Sequence, residues 1–337
     1  MNETNGGSKG PMVRVGIVGT GAAWETRYRP ALERLKSRIA VRAVYDPVAC
    51  RAEQVAEELH AQPADGLCTL LDRPDVRAVL VLDAGWQEDV PLRFAFERKK
   101  PVYLAGSLGE NLERLKHVHA WAQEAGVALM PEFSRRYTPA SARLQELLAT
   151  RLGRPQRIDV DAVLPETGDE DLVPGQGPGL DFLIGLCDWC RYVVRTAPVR
   201  VESAPGSDHD RPTRTVRIEF ERSRRGGEAP VSELRLHDRR DPGWGETPPV
   251  RFTIHCEKGE AVIESPTRVH WSAGGENRQE SLASERSEVE VMLDHFCRRV
   301  VGGLIPIPDV SDVYRSVLLA RSIDRAAEHG GPVTVGE

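Results

Sequence analysis

The feature that most constrains this chain is a change of hydrophobic period that recurs between Val13 and Pro131. The stretches VRVGIV (Val13 to Val18), IAVRAVYD (Ile39 to Asp46), RAVLVLDA (Arg77 to Ala84), PVYLA (Pro101 to Ala105) and VALMP (Val127 to Pro131) are short, apolar and rich in β-branched residues. Between them lie segments whose apolar residues recur at helical spacing. Ala31, Leu32 and Leu35 follow Pro30, and further segments run from about Cys50 to His60, Val90 to Arg98 and Glu110 to Ala125. Continuous apolar runs suit strands buried on both faces, and parallel neighbours need a long crossover that is usually a helix. The alternation therefore predicts an α/β Rossmann-type domain over 12–133, a doubly wound and mostly parallel sheet with right-handed crossovers.

After about Ser134 the pattern changes. A helix from about Pro139 to Thr150 precedes PQRIDVDAV, TRTVRIEFE, VSELRLHD, VRFTIHCE and EAVIES, which place apolar residues at alternate positions. Such alternation fits antiparallel strands with one covered face and one freer face. The stretches SAPGSDHDRP and DRRDPGWGETPP read as turn-rich loops. Helices from about Glu288 to Val301 and Val310 to Glu328 close the chain. The reading is an α+β domain over 134–337, with an open, mainly antiparallel sheet and both closing helices, and a disordered tail over 1–11.

Composition narrows the function classes. A chain of 337 residues is long enough for two packed cores. Its net charge of −6 argues against nucleic acid as a partner, and Arg222, Arg224 and Arg225 read as solvated loop. No apolar run reaches membrane-spanning length, and MNETNGGSKGP lacks the apolar core of a signal peptide, so no membrane partner and a cytoplasmic location are expected. The six cysteines are then reduced thiols. Cys187 and Cys190 are three apart on an apolar helical stretch, with no second such pair to complete a zinc set, so they read as buried thiols and no metal site is expected.

Chemistry enters at Gly19-Thr20-Gly21, which joins the first strand to the first helical segment. Glycines there permit a tight turn and let backbone N–H groups approach a pyrophosphate at a helix N-terminus. Gly19, Thr20, Gly21, Ala22, Ala23 and Trp24 form the candidate cofactor loop, and Asp46, ending the second strand, is placed to accept the hydroxyls of an adenosine ribose. Its carboxylate would repel a 2′-phosphate, which favours NAD over NADP. Asp83 and Ala105 end later strands, where such sheets hold their ligand, and complete the cofactor set. Trp24 stands where the fingerprint has its third glycine, so a Rossmann domain that no longer binds a dinucleotide is the competing reading.

Taken together, these segments resemble the glucose–fructose oxidoreductase, inositol dehydrogenase and rhizopine-catabolism (Gfo/Idh/MocA) family. The resemblance rests on VRVGIVGTGAAWETRYRPALERL, VRAVYDPVACRAEQVAEEL, LLDRPDVRAVLVL, FSRRYTPASARLQELLATRLGRPQRIDV with Arg136 and Pro139, and LIPIPDVSDVYRSVLLARSIDRAAEHGGPVTV. It implies a Rossmann domain, a substrate domain on an open sheet, a sugar or polyol as small-molecule partner, and homo-oligomers, dimers or tetramers. It also implies hydride transfer to or from nicotinamide, with a lysine in Glu-Lys-Pro and a histidine in D-x-x-x-H managing the hydroxyl proton. Aligned without gaps, that lysine falls on Gly106 and that histidine on Gly185; the motif's aspartate matches Asp181 and a further aspartate matches Asp188. The family's Thr-Pro turn also departs, reading Asp83-Ala84-Gly85-Trp86-Gln87-Glu88.

A positioned general acid or base contributes on the order of 10²–10⁴ in rate, and glycine has no proton to give. Asp181 is the remaining catalytic candidate, equally readable as a helix cap or as a carboxylate that holds sugar hydroxyls. Asp83, Glu88, Tyr103 and Asp188 could also titrate at the strand ends. His117 and His119 read as surface helix, and His237, His255 and His270 as strand histidines without a matched carboxylate or cysteine. Two readings stay open. One is an NAD(P)-dependent oxidoreductase with an altered or degenerate proton route. The other is a non-catalytic nucleotide- or sugar-binding regulator, scaffold or inactive partner of an active homologue.

Overall fold

The computed structural model describes residues 11–109, 111–165, 178–205, 213–223, 226–238 and 250–336. The expected tail, Arg224 and Arg225, and most of the two turn-rich loops lie outside the described residues. The chain divides into two compact units. The first holds the chain up to Leu108 together with Glu113–Glu132 and Ser287–Ser311; the second holds Gly109–Leu112, Phe133–Arg286 and Asp312–Glu337.

In the first unit six parallel strands, β1 (Val13–Val18), β2 (Ile39–Tyr45), β3 (Gln62–Pro63), β4 (Ala78–Val81), β5 (Val102–Leu104) and β6 (Leu129–Pro131), form one sheet. Their order is β3-β2-β1-β4-β5-β6. The chain moves outward from β1, then returns to β4 and moves the other way, so the loops after β1 and β4 diverge. That is where such sheets open a crevice for a ligand. The apolar runs are buried on both faces: Val13, Val15 and Ile17 are wholly inaccessible, as are Ala78 to Val81.

The helix Glu288–Val300 groups with this unit, whereas the sequence boundary carries that stretch in the second domain. Ser287 caps it in a reciprocal box with Glu290. Its apolar stripe, Val289, Met292, Leu293 and Phe296, is buried, and Phe296 meets Tyr103 edge to face with ring centroids 6.0 Å apart.

The second unit carries nine strands: β7 (Pro155–Leu164), β8 (Pro198–Pro205), β9 (Thr213–Phe220), β10 (Val231–Asp238), β11 (Val250–Cys256), β12 (Gly259–Ser265), β13 (Arg268–Ala273), β14 (Glu276–Ser281) and β15 (Val333–Thr334). Their order is β14-β13-β12-β11-β7-β10-β9-β8-β15, and β7 with β10 is the parallel pair in an otherwise antiparallel ladder. Alternation sorts the two faces. Ile158, Val160, Leu234, Leu236, Phe252 and Ile254 are buried, and Phe252 packs against Trp189 of the helix Pro178–Val194 at 3.9 Å. Cys187 and Cys190 are buried on the same helix. No described helix is long and apolar enough to cross a membrane.

The opposite face is a ladder of charge. Arg157 bridges Asp159 at 2.7 Å and Glu233 at 2.8 Å, and Arg217 meets Glu233 at 2.9 Å. His255 also belongs here, and its reading as a histidine without a carboxylate does not hold. Its Nε2 lies 3.0 Å from Asp159 and its Nδ1 2.8 Å from Glu260. Both partners sit on neighbouring strands, so cross-strand register and not chain proximity brings them together.

Candidate functional site

In the first unit the candidate loop leaves β1 with Gly19 at φ +68° and Gly21 at φ +57°, a region that favours glycine. Space adds a second requirement. A Cβ at Gly19 would lie 1.9 Å from the Asp83 carbonyl oxygen, and one at Gly21 would lie 2.9 Å from Asp83 Oδ2. The segment after β4 thus packs directly on the glycine turn. Asp83 itself is exposed, with Oδ1 accepting from the Gly85 N–H at 2.8 Å.

Asp46 ties the end of β2 to this loop. Its Oδ2 accepts from the Thr20 backbone N–H at 3.0 Å and from the Thr20 hydroxyl at 2.9 Å, while Oδ1 accepts from the Val48 N–H at 2.9 Å. Both side chains are buried. A carboxylate oxygen has two lone-pair sites, so Oδ1 keeps capacity for one more donor. Gly19, Gly21 and Asp46 therefore fit a dinucleotide. The Asp83 carboxylate beside Gly21 fits it less well, because it brings negative charge to the turn where a pyrophosphate would lie.

Ala22 is exposed, Ala23 half-buried, and Trp24 buried in a wide π-type turn, Trp24–Tyr28. The Trp24 indole N–H is buried, and among the described residues nothing accepts from it. It fills the place of the third glycine with an apolar body and leaves one donor unsatisfied, which is costly unless something accepts from it.

At the end of β5, Ala105 is buried and Gly106 is exposed at φ +88°, with nothing within 4 Å of where its Cβ would be. Among the described residues no neighbour would block a longer side chain here. It is disfavoured by the backbone, which holds a conformation L residues rarely adopt.

Next to β5 lies a cluster that sequence reasoning missed. Glu132, just past β6, accepts from the Tyr28 hydroxyl at 2.5 Å, from the Tyr103 hydroxyl at 2.8 Å and from Arg27 at 2.6 Å; Glu288 lies 3.5 Å from the same arginine. Burial, then the Glu132 charge, pushes both phenols far above the ordinary tyrosine value. Burial opposes the Arg27 charge, but Glu132 more than offsets it and holds that guanidinium above its usual value. Tyr103 is wholly buried, so the structure places this titration candidate in a structural hydrogen bond and not at a surface. The available signal was a charged residue at a strand's C-terminal end, but nothing in the chain named its partners.

The other strand-end candidates are dispersed. Glu88 is exposed, 3.7 Å from Arg114. His117 stacks on Trp121 at 6.4 Å, and His119 lines a cavity of about 710 Å³ with Gly126 to Leu129 and the segment Arg299 to Val310. Gly126 to Leu129 lead into β6, so this cavity lies at the opposite end of the strands from the glycine loop.

In the second unit the helix Pro178–Val194 carries both remaining positions. Asp181 is exposed in its first turn, and Gly185 follows one turn later on the same face. A Cβ at Gly185 would stand 3.0 Å from Nη1 of Arg135, whose guanidinium lies 4.6 Å over the Phe182 ring. Asp188 is fully engaged elsewhere. It pairs with Arg136 through both carboxylate oxygens and accepts from Ser316 at 3.3 Å, while Asp312 joins Arg136 at 3.1 Å. Burial pushes the Asp188 carboxyl up against the pull of Arg136. Burial likewise opposes the Arg136 charge, yet the two carboxylates hold it above its usual value. Asp188 is thus part of a buried ion-pair network that fixes the helix. Among the described residues no cluster of His, Cys, Asp and Glu could hold a metal ion.

Comparison with known proteins bears on this arrangement. Residues 13–133 match the Gfo/Idh/MocA oxidoreductase family, described by its NAD-binding Rossmann fold. The match is confined to that N-terminal stretch, which is the part of the chain that resembles the Gfo/Idh/MocA family. The inositol 2-dehydrogenase of Mycolicibacterium smegmatis is 30% identical over 171 residues, which cover 48% of this chain and 48% of that protein. The match spans about half the length of that curated relative. Two solved structures share the fold along nearly the whole of this chain. A levoglucosan dehydrogenase in complex with NADH and levoglucosan has a TM-score of 0.78 at 16% identity, covering 97% of this chain and 100% of that one. The transcriptional regulator Gal80p from Kluyveromyces lactis has a TM-score of 0.79 at 15% identity, covering 98% and 96%.

Proposed function

We propose that this chain binds a nicotinamide dinucleotide, NAD in preference to NADP, together with a sugar or polyol, and does not turn that ligand over through the family's lysine and histidine relay. The observation that carries the proposal is Gly106, exposed at φ +88° in open space. That conformation favours glycine over any residue with a side chain. The N–H groups of Gly19 to Trp24 would face the pyrophosphate, Asp46 Oδ1 the adenosine ribose, and Asp83 and Ala105 would border the nicotinamide half. A bound nicotinamide would supply the hydride donor or acceptor. The chain's own part is then to hold and orient, and Asp181, exposed in the first turn of the helix Pro178–Val194, is the carboxylate that would meet a ligand hydroxyl.

A second reading has a specific observation in its favour. The Asp83 carboxylate beside Gly21 weakens a pyrophosphate site, which suits a protein that works by binding, as the likeness to Gal80p allows. Titration of the whole chain with NADH and NADPH, read by tryptophan quenching, tests both. Saturable micromolar NADH binding with no turnover above background on neutral sugars and polyols is the expected result. Rapid NAD-linked turnover refutes the loss of the relay, and no binding up to millimolar refutes the cofactor role. The family likeness also suggests a dimer or tetramer, which sedimentation equilibrium would read directly.

A further inference from the structure

The second unit contains a cation that the ion-pair network does not use. Arg136 meets Asp188 and Asp312, and Arg191 donates to Ser316 at 2.8 Å and to the Asp312 carbonyl at 3.2 Å. Arg135, the residue before Arg136, differs from both. Its half-buried guanidinium stacks on Phe182, and among the described residues no carboxylate pairs with it. Burial pulls its charge below the usual arginine value, opposed only by Cys190. The space it occupies is the space a side chain at position 185 would take, since its Nη1 stands 3.0 Å from that Cβ position.

A desolvated guanidinium without a counter-ion is an unfavourable arrangement that an arriving anion corrects. We propose that Arg135 receives the carboxylate of a sugar acid bound beside the helix Pro178–Val194, where its guanidinium takes the space that Gly185 leaves. The replacement of histidine by glycine then exchanges a proton-handling group for a charge-reading one. The anion's size and charge follow from the count of donors. One planar fork matches one carboxylate through two parallel N–H···O bonds. A phosphate dianion would call on a second cation, and the neighbouring Arg136 and Arg191 are already committed. Phe182 beneath the fork holds it in plane, which reduces the ordering needed on binding.

This inference rests on the reading that the chain binds a carbohydrate, and its test separates the two. The whole chain is titrated calorimetrically with D-glucuronate, D-galacturonate and D-mannuronate, with the matching neutral hexoses, and with glucose 6-phosphate. The same series is run on Arg135→Gln and Arg135→Lys, and NADH titration and thermal midpoint verify that each variant is folded. At least one hexuronate should bind about 10-fold or more tighter than its hexose. The advantage should collapse in Arg135→Gln and survive in part in Arg135→Lys. Hexose binding without a hexuronate advantage, or an advantage that persists in Arg135→Gln, overturns the role of Arg135 and leaves the carbohydrate reading standing. A stronger response to glucose 6-phosphate than to any hexuronate overturns the carboxylate assignment. NADH binding with neither class of sugar overturns both the role of Arg135 and the carbohydrate reading.

Discussion

Gly106 and Gly185 should respond to alanine with opposite signs. Gly106 sits at φ +88° with nothing within 4 Å of its Cβ position, so Gly106→Ala meets no neighbour and is opposed by backbone conformation alone. A left-handed non-glycine residue costs about 1–2 kcal/mol, and the stiffer unfolded chain returns about 0.4–1, leaving a net loss of roughly 1 kcal/mol. Gly185 lies within the helix Pro178–Val194, where glycine is about 0.8–1 kcal/mol worse than alanine. Its new methyl would meet the far end of the flexible Arg135 side chain at 3.0 Å, so most of that gain should survive. Gly185→Ala should therefore stabilise by roughly 0.5–1 kcal/mol. The assay is urea denaturation, following the unit that carries each residue, with far-UV circular dichroism to exclude a change of fold. A neutral or stabilising Gly106→Ala would refute the argument. The loop would then accept a side chain freely, and the absence of a lysine would carry no structural meaning.

Other outcomes can be checked on the same protein. Asp83→Asn removes negative charge beside Gly21 and should raise NADH affinity roughly 2- to 5-fold by fluorescence titration; an unchanged affinity means the pyrophosphate does not pass this turn. Glu132→Gln leaves Arg27 without its main partner and should lower stability by about 2 kcal/mol, less than a fully buried break because Arg27 is one-third exposed. A urea midpoint that does not move would show that Glu288 alone suffices. Burial pushes the thiols of Cys190, Cys256 and Cys297 up to about 12, and the Tyr28 and Tyr103 phenols well above their usual value. Folded-state values above the unfolded ones mean that this stability is complete below about pH 9. It declines as pH rises further, by about 1.4 kcal/mol per unit for each group that only the unfolded chain has ionised. A flat urea midpoint between pH 9 and 10.5 contradicts that burial.

The Rossmann sheet was legible because strands buried on both faces leave unbroken apolar runs, and Ala78 to Val81 is such a run. The glycine turn and Asp46 were legible because their backbone conformation and end-of-strand position are local properties. The edge strands were less so. Glu276–Ser281 at the edge of the second sheet is almost wholly exposed and carries no hydrophobic period. The helix Glu288–Val300 displayed its amphipathic stripe plainly, but a stripe does not say which core will cover it; here Tyr103 and its neighbours do.

By itself the sequence determined the kinds of elements, their order and the glycine turn after the first strand, since periodicity, turn chemistry and residue type act over a few neighbouring residues. Tertiary structure alone decided which groups meet. Glu132 gathers Arg27 and Tyr28 from one turn and Tyr103 from a distant strand, and His255 finds Asp159 across a strand register. Arg135 reaches the space beside Gly185 while the next residue, Arg136, is drawn to Asp188. Adjacent arginines are alike in sequence; packing separates the ion-paired one from the one left to meet a ligand.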